Sequence, residues 1–566
     1  MKGIGASPGY AIGRVFIKKV FKEPEISYTR DKDEELKRLN DASATVMAKL
    51  EKLEIETTKK IGDAEGQIFK AHQMMLQDPE LQGQIKKLIE SENYISEYAT
   101  LCVRNQMVSL FEAMDNEYMK ERAADIKDVC NSLLKVLMNL ESIDYDALQD
   151  NIIIIANDLT PSETAQIPLD KVSGFITEIG GQTSHTAIMS RTLEIPAVVG
   201  VRGMISSVKQ GDLIAFNGET GEIVVNPSKD VLESFETLKA EAKKKKTLLK
   251  TLVGQKTISK DGFEVSLGCN IGHPDDLKYV LENDGEGIGL FRSEFLYMNR
   301  DTMPTEEEQF EAYKTVLETM NDKPVVIRSL DVGGDKKLSY LDFPHEENPF
   351  LGYRAIRYCL DHPEVFHVQL RALIRASVYG NLHIMLPMIS NISEVRKAKK
   401  IIEFIKEELK EDGISFNDFK LGIMIEIPAA AMISDHLAKE VDFFSIGTND
   451  LIQYTTAVDR MNEQISDLYS PYHPALLRLV KMIIDNGHKE NIWVGMCGEV
   501  AGKQDLIPLL FAMGLDEFSM SPSSLLESRQ LIGSLEKDDA FVEDILSSED
   551  SETVKQKIAL RMNATI

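Results

Sequence analysis

The sequence predicts a multidomain α/β protein whose second half is a (β/α)8 barrel, also called a TIM barrel. Its 566 residues are enough for about three or four domains, and a hydrophobic fraction of 43% allows each to bury a core. Between Glu264 and Met520, eight short apolar runs alternate with amphipathic segments. That alternation is typical of a closed parallel barrel. A doubly wound sheet is the structural alternative, but it does not require eight strands.

The first half of the chain contains a helical segment between two parts of an α/β domain. Residues 1–20 contain strand-like runs broken by Gly and Pro, and the α/β pattern resumes over residues 146–227 with the apolar run IIIIA. We expect these two parts to form one domain. In residues 21–145, Gly and Pro are rare and apolar residues recur at helical spacing, which predicts long helices packed as antiparallel hairpins. This spacing is clearest at Leu36, Leu39, Val46, Leu50 and Leu53.

A polar linker helix is predicted over residues 228–256, before a barrel that occupies residues 257–566. The linker is rich in Lys and Glu and includes the run Lys243–Lys246. A nucleic-acid-binding patch is the alternative interpretation of that run. Neighbouring glutamates neutralise it, so a solvated helix face is favoured.

Composition excludes several classes of function. The formal net charge is −27, from 64 Lys and Arg against 91 Asp and Glu, which disfavours sequence-independent binding to nucleic acids or anionic membranes. The five cysteines form no CxxC pair, which disfavours a disulfide framework or structural zinc site and indicates a reducing cytoplasm. The segment MKGIGASPGY has no apolar h-region, so we expect no signal peptide, and no uninterrupted apolar stretch approaches membrane-spanning length. We expect a cytoplasmic enzyme.

Polar residues end the apolar runs of the predicted barrel, where such folds place their chemistry. One polar residue at a strand end is often only the start of a loop, but here several point to the same chemistry. Those residues are Arg292, Glu294, Arg328, Asp331, Lys336, Glu426, Asn449, Asp450, Cys497 and Glu499.

Two carboxylates and four arginines predict a magnesium ion and a small, highly anionic substrate that carries phosphate. Glu426 and Asp450 offer the hard oxygen ligands that Mg²⁺ prefers. Guanidinium groups match phosphate and carboxylate with paired donors, although surface ion pairs are their commoner role. The four arginines are Arg292, Arg328, Arg354 and Arg460. Cys497 is either a buried apolar thiol or a proton donor or nucleophile.

A glycine turn carries a histidine in the first half of the chain. The segment GGQTSHTAIMSR, from Gly180 to Arg191, predicts a strand entering a turn and then a helix with His185 in its first turn. Free N–H groups at a helix start attract phosphoryl groups, and neutral imidazole is a competent nucleophile. The alternative is a structural histidine.

These segments resemble motifs of the phosphoenolpyruvate-utilising enzymes. The segment around His185 is similar to the phosphohistidine motif of that family. The barrel segments that resemble family motifs are GIGLFRSEFLYM, NPFLGYRAIR, IMIEIPAA, FFSIGTNDLIQYTTAVDR and WVGMCGE. Their order, the chain length and the helical insertion resemble the Enzyme I family of the bacterial sugar phosphotransferase system over essentially the whole chain.

The resemblance implies a relay of two phosphoryl transfers. Phosphoenolpyruvate would bind at the barrel rim with Mg²⁺ on Glu426 and Asp450, and His185 would take its phosphoryl group. Cys497 would then protonate the enolate to give pyruvate, and Thr164 would orient the histidine. The residues that the resemblance assigns to substrate binding are Arg292, Arg328, Arg354, Asn449, Asp450, Arg460 and Lys336.

The resemblance also implies partners. The phosphohistidine would pass its phosphoryl group to a histidine of the small carrier protein HPr, the first step of sugar uptake, after the α/β domain swings on the linker. The segment Ala64–Leu81 matches the family's docking segment, in which Met74, Met75 and Leu76 form either an exposed patch or part of the helical core. The barrel is expected to form a homodimer.

Two alternatives stay open from the sequence. One is an enzyme like pyruvate phosphate dikinase or phosphoenolpyruvate synthase that lacks its nucleotide domain, and the other is a catalytically inactive regulatory scaffold. One departure from the family pattern is Gln182, which stands where many members have Arg.

Overall fold

The computed structural model divides the chain into two compact units, Met1–Lys246 and Thr247–Ile566. Each unit has its own buried core. The structure describes residues 1–18, 22–60, 63–112, 117–140, 150–164, 167–168, 171–181, 184–193, 195–298, 300, 302–334, 336, 338, 340–341 and 343–565.

A seven-stranded mixed sheet lies in the first unit. Its strands are β1 (Ile4–Ser7), β2 (Tyr10–Ile17), β3 (Ile152–Ala156), β4 (Val172–Thr177), β5 (Ala197–Val199), β6 (Leu213–Asn217) and β7 (Ile223–Val225). They lie in the order β1-β5-β4-β3-β2-β6-β7, so the opening strands share one sheet with the strands after residue 150. β2 pairs in parallel with β3 and antiparallel with β6. The run IIIIA is buried on both faces because alternate isoleucines enter two separate hydrophobic clusters.

The described residues between β2 and β3 form five helices, which confirms the predicted helical insertion. They are α1 (Lys32–Lys60), α2 (Asp63–Leu76), α3 (Pro79–Glu92), α4 (Ser96–Glu112) and α5 (Glu117–Leu137). Leu39, Val46 and Leu50 are buried in their common core, as the helical spacing predicts. Asp78 caps α3 by accepting a hydrogen bond from the backbone N–H of Glu80.

Three short helices and one long helix complete this half of the chain. The short helices are α6 (Pro161–Thr164), α7 (His185–Thr192) and α8 (Met204–Ser207). The long helix is α9 (Lys229–Lys250), which lies within the predicted linker. Lys243, Lys244 and Lys245 are exposed on it, as expected of a solvated helix.

A closed barrel of eight parallel strands forms the second unit and confirms the predicted fold class. The strands are β8 (Ser266–Ile271), β9 (Gly287–Arg292), β10 (Pro324–Arg328), β11 (Asn381–Leu386), β12 (Lys420–Ile425), β13 (Phe443–Ile446), β14 (Trp493–Met496) and β15 (Glu517–Met520). Each predicted apolar run overlaps one of them. The barrel closes because β15 pairs in parallel with β8.

Helices surround the barrel and complete its core. They are α10 (Leu277–Glu282), α11 (Glu306–Met320), α12 (Ile356–Asp361), α13 (Pro363–Ala376), α14 (Ile392–Glu411), α15 (Pro428–Met432), α16 (Ser434–Leu437), α17 (Thr448–Thr456), α18 (Pro474–Lys489), α19 (Ile507–Met513), α20 (Leu525–Gly533), α21 (Asp539–Leu546) and α22 (Ser551–Thr565). The start of α14 is fixed by a capping box, in which Asn391 Oδ1 accepts from Glu394 N while Glu394 Oε2 accepts from Asn391 N.

Aromatic rings fill the lower interior of the barrel. Phe443 and Trp493 stack with centroids 4.5 Å apart and ring planes 1° from parallel. Gly422 leaves room for this pair, because a Cβ atom there would lie 2.4 Å from the Phe443 ring. The barrel is therefore a packed core, and its open space lies at one end.

Two further features bear on the sequence predictions. Among the described residues, no helix combines the length and apolar character needed to cross a membrane. All five cysteines carry free thiols.

Two glycines beside β6 and β7 should respond differently to the same substitution. Both Gly211 and Gly221 have positive φ, +88° and +73°, so alanine at either should cost about 1–2 kcal/mol. A Cβ atom at Gly221 would also lie 2.1 Å from the carbonyl oxygen of Gly3, whereas nothing lies within 4 Å at Gly211. We expect Gly221→Ala to destabilise the first unit by about a further 2 kcal/mol.

Denaturant unfolding followed by circular dichroism measures the difference. Trp493 is the only tryptophan and lies in the second unit, so its fluorescence transition should stay unchanged in both variants. Equal losses for the two substitutions would contradict the close approach of Gly221 to Gly3.

Candidate active site

The carboxyl ends of the barrel strands open onto one cavity of about 490 Å³. The structure brings all nine barrel residues of the predicted site together in its wall. They are Arg292, Arg328, Lys336, Arg354, Glu426, Asn449, Asp450, Arg460 and Cys497. Asp331 and Glu499 line it too, whereas Glu294 is buried behind the wall.

Arg354 is the best-connected side chain of this wall. It is only 1% exposed and lies in the loop before α12. Its Nε and Nη2 donate to the two oxygens of Asp331 at 2.9 and 3.1 Å, and its Nη1 and Nη2 donate to the two oxygens of Asp450 at 3.1 Å each. One guanidinium therefore fixes two carboxylates from different strand ends.

Asp331 is held ionised by three cations. Burial alone would raise its pKa, but the charges of Arg354, Arg328 and Lys336 hold the pKa well below its usual range. Lys336 Nζ lies 3.2 Å from Asp331 Oδ2 and 2.8 Å from Glu294 Oε1, and Arg328 also pairs with Glu294. Burial likewise raises the pKa of Glu294, and Arg328 and Lys336 lower it by more.

The cavity remains positively charged after this pairing. Among the described residues, six cationic side chains and four carboxyl groups line it. The cations are Arg292, Arg328, Lys336, Arg354, Arg460 and Lys503, and the carboxyl groups are Asp331, Glu426, Asp450 and Glu499. A small polyanion is the ligand that such a wall favours.

Glu426 is the least stabilised carboxyl group of the rim. It directly follows β12 and is 1% exposed, and Met388 N donates to its Oε1 at 2.6 Å. Burial, followed by the charges of Asp450 and Asp331, raises its pKa to about 8. A bound cation would stabilise the ionised form of this buried carboxyl group.

The oxygen atoms that the protein offers in this cavity are of the kind that binds Mg²⁺. Glu426 and Asp450 present hard oxygen atoms to the same cavity, and Gly447 keeps one side of Glu426 open, because a Cβ atom there would lie 3.0 Å from Glu426 Oε2. Among the described residues, no group of three His, Cys, Asp or Glu side chains forms a metal site. Proteins usually bind Mg²⁺ through one or two carboxylates, and oxygens of substrate and water complete its coordination.

Cys497 lines the cavity with a buried thiol. It directly follows β14 and packs with Leu290, Val326 and Met424. Burial raises the pKa of its thiol to about 12, so the sulfur keeps its proton at neutral pH. That state favours the predicted proton donor over the predicted nucleophile, since only a thiolate is strongly nucleophilic.

Several cavity residues were missed by the sequence prediction. Asn270, at the end of β8, donates to the carbonyl oxygens of Cys497 at 3.0 Å and of Ser519 at 3.3 Å. Lys503, Ser521 and Ser524 line the wall as well. The sequence carries a signal for two of them, because Asn270 lies next to the end of the first apolar run and Ser521 directly follows the eighth.

The histidine turn has the predicted backbone. α7 begins at His185 with Ser184 as the extended N-cap residue, and Gly180 before it has a φ of +110°. Arg191 Nη1 donates to the carbonyl oxygen of Ala6 at 2.9 Å, which fixes α7 to β1. His185 is described by its backbone alone, so the placement of its imidazole stays a prediction.

Two neighbours of this turn were also predicted from the sequence. Thr164 is buried at the end of α6, and its hydroxyl donates to the carbonyl oxygen of Thr160 at 2.9 Å. Its contact with His185 stays a prediction. Gln182 lies outside the described residues.

The three apolar residues of the predicted docking segment do not share one environment. Met74 is 63% exposed, Met75 is partly buried, and Leu76 is buried in the helical core. Leu76 is therefore not part of an exposed patch. The reason is helical geometry, since consecutive residues on α2 point in different directions.

Comparison with known proteins gives matches over nearly the whole chain. Three family models match: phosphoenolpyruvate-utilising enzyme, N-terminal, over residues 2–122; mobile domain, over residues 148–221; and PEP-binding domain, over residues 246–537. The chain is 51% identical over 540 residues to the phosphoenolpyruvate-protein phosphotransferase of Staphylococcus carnosus (strain TM300), covering 94% of each chain. It is 49% identical over 561 residues to the protein of that name from Bacillus subtilis (strain 168), covering 98% of each.

Removing the guanidinium of Arg354 should destabilise the barrel strongly. Arg354→Met leaves Asp331 and Asp450 buried without their main cation, so we expect a loss of about 3–5 kcal/mol. Urea unfolding followed by Trp493 fluorescence measures the loss in the barrel.

The exposed pair of Arg396 with Glu440, at 2.7 Å, supplies the control. Arg396→Ala should cost less than about 1 kcal/mol, because water screens that pair. Similar losses for the two variants would contradict the central place of Arg354.

Proposed function

The chain belongs to the phosphoenolpyruvate-protein phosphotransferase family, within the phosphoenolpyruvate-utilising enzymes, and on that premise we propose how its residues divide the reaction. Phosphoenolpyruvate binds in the 490 Å³ cavity, His185 receives its phosphoryl group, and HPr accepts that group from the phosphohistidine. The observation that carries the proposal is the joining of all nine predicted barrel residues in one positively charged cavity. The alternative of a dikinase without its nucleotide domain is not favoured, since relatives matching nearly the whole chain are named phosphotransferases.

Binding and orientation are the work of the cationic wall. Phosphoenolpyruvate carries a phosphate and a carboxylate, and Arg292 and Arg460 offer forked donors to both. Arg328 lines the same wall and would contribute its charge while it pairs with Glu294 and Asp331. Arg354 already donates to Asp331 and Asp450, so it would act chiefly by keeping those two carboxylates in place. Charge on the transferring phosphoryl group is spread over its oxygens, and fixed cations stabilise it.

Glu426 and Asp450 would hold Mg²⁺. When bound, the ion supplies positive charge beside the phosphate and carboxylate of the substrate. Burial, followed by the charges of Asp450 and Asp331, raises the pKa of Glu426 to about 8, and a bound cation would offset this cost of ionisation, which supports the assignment.

Proton delivery falls to Cys497. Once phosphorus has left the enol oxygen, the C3 atom of enolpyruvate needs one proton to become the methyl group of pyruvate. Cys497 holds a proton at neutral pH and lines the same cavity, so its thiol suits that step.

The start of α7 supports His185 as the phosphoryl carrier. Its backbone places the residue at a helix N-terminus after a glycine turn, where backbone N–H groups favour a phosphoryl group. Transfer onward to HPr would use the five-helix insertion, on which exposed Met74 offers an adaptable apolar contact. That assignment makes the chain the first enzyme of phosphotransferase sugar uptake, acting in the cytoplasm.

A homodimer through the barrel is also proposed. Leu351, Met432 and Met461 on the second unit are each more than 60% exposed, and large exposed apolar side chains are suited to an interface. Sedimentation equilibrium measures the assembly.

Labelling by radioactive phosphoenolpyruvate tests the phosphoryl carrier. Wild-type protein should gain acid-labile label without nucleotide, lose most of the labelling rate when EDTA removes Mg²⁺, and pass its label to HPr. His185→Ala should gain none, because no other group receives the phosphoryl. A variant that labels as well as wild type would remove His185 from the reaction.

Cys497→Ala should slow pyruvate formation by about 10²–10⁴-fold, which is the usual contribution of a general acid to the reaction rate. Rapid-quench measurement of pyruvate gives the rate, and circular dichroism verifies the fold. Cys359→Ala is the control, since Cys359 is another fully buried barrel thiol outside the cavity wall. Unchanged turnover in the Cys497 variant would show that another group supplies the proton.

A further inference from the structure

Asn270 lines the cavity from β8, and none of the steps derived above uses it. Its Nδ2 donates to the carbonyl oxygen of Cys497 at 3.0 Å and to that of Ser519 at 3.3 Å, while its Oδ1 accepts from the Ser519 hydroxyl at 2.6 Å. The two carbonyl acceptors decide which side of the amide carries the nitrogen. Both amide hydrogens are engaged by the protein, so this group holds the cavity wall rather than donating to a ligand.

The bond from Asn270 to Cys497 extends the contact between two strands beyond their backbone ladder. β14 and β15 pair as far as Met496 and Phe518, and the carbonyl group of Cys497 comes directly after that point. The Asn270 side chain reaches this carbonyl from β8, which is the neighbour of β15 on its other side. A side-chain amide therefore supplies the donor that backbone N–H groups supply lower in the ladder.

Ser519 holds the amide of Asn270 in this orientation. It is completely buried on β15 and pairs with Gly268 of β8. Gly289 of β9 leaves room for it, because a Cβ atom there would lie 2.4 Å from both Cβ and Oγ of Ser519. Residues of β8, β9 and β15 thus combine to place one donor against the carbonyl group that follows β14.

The position of the Cys497 peptide decides where its thiol points. The N–H group of Cys497 donates to the carbonyl oxygen of Ile446 at 3.2 Å, and its carbonyl group accepts from Asn270. The thiol itself makes a long hydrogen bond, with 4.0 Å between its sulfur and the carbonyl oxygen of Ile446, which restrains it weakly. With the backbone held on both sides, rotation about the Cα–Cβ bond is the freedom that remains.

We propose that Asn270 is a positioning residue for proton delivery: by holding the Cys497 peptide, it directs the thiol at one face of the C3 atom of enolpyruvate. The π electrons of the enolate take the thiol proton to form the new C–H bond, and the thiolate left behind regains a proton from solvent. A planar enolate has two faces, and an acid fixed on one side protonates one of them. This inference rests on the proposed role of Cys497 as the acid.

Separate rates for the two chemical steps distinguish this role from a structural one. In Asn270→Ala, rapid-quench labelling by radioactive phosphoenolpyruvate should stay within about twofold of wild type, with unchanged half-saturation, because the phosphate-binding cations are untouched. Pyruvate formation during net transfer to HPr, followed with lactate dehydrogenase, should be about tenfold slower, because the acid is misplaced. Equal slowing of both steps, no slowing, or weaker half-saturation would overturn the proposal.

The configuration of the product reports the direction of the thiol. Phosphoenolpyruvate that carries one tritium at a known position on C3, turned over in D₂O and trapped as lactate, gives a methyl group with three different hydrogen isotopes. Wild-type protein should give one configuration. Asn270→Ala should give a mixture, because an enolate that waits for a misdirected acid can take its proton from either face. A single configuration in the variant would contradict the proposal.

Matched variants complete the test. Ser519→Ala keeps Asn270 but removes the hydroxyl that orients it, so it should also slow pyruvate formation selectively, and it decides the matter if Asn270→Ala does not fold. Asn381→Ala removes a side-chain amide that donates to the carbonyl oxygen of Asp322 at 3.2 Å; it should leave both rates unchanged, and selective slowing there would overturn the proposal. Unchanged pyruvate formation in Cys497→Ala would instead overturn the role of Cys497.

Discussion

Asp331 and Asp450 lie almost without exposure at the rim of the barrel, and both depend on the guanidinium of Arg354. Buried carboxylates are costly unless cations and hydrogen bonds compensate them. Arg354 compensates both carboxylates at once. Arg328 and Lys336 provide further positive charge beside Asp331. The pairing therefore joins the loop after β10, the segment before α12 and the start of α17 at the rim of the cavity.

The charge of the cavity wall is opposite in sign to the net charge of the whole chain. The protein carries a formal net charge of −27, yet cations outnumber carboxyl groups in the cavity wall. Local arrangement therefore decides what binds there, while the overall charge acts on solubility and on encounters with partners. Glu426 differs from the other carboxyl groups of the wall, because burial and then the charges of Asp450 and Asp331 raise its pKa. A divalent cation between Glu426 and Asp450 would relieve that repulsion.

Periodicity and strand-end chemistry were enough to predict the fold class and the membership of the cavity. Continuous apolar runs identified the eight strands because a barrel strand is buried on both faces. The partners of each side chain were beyond prediction, because they depend on long-range contacts: Arg354 meets Asp450 across 96 residues. For the same reason the sequence did not reveal that Glu517, in the apolar run EFSM, is buried among three glycines.

The central claim is that the barrel cavity binds phosphoenolpyruvate together with a divalent cation on Glu426 and Asp450. Calorimetric titration of phosphoenolpyruvate into His185→Ala measures binding directly, because that variant cannot turn the substrate over. The account predicts binding at least about tenfold tighter with Mg²⁺ than with EDTA, and loss of that difference when Glu426→Gln is added. Equal binding with and without Mg²⁺, or an undiminished Mg²⁺ effect in the double variant, would contradict it.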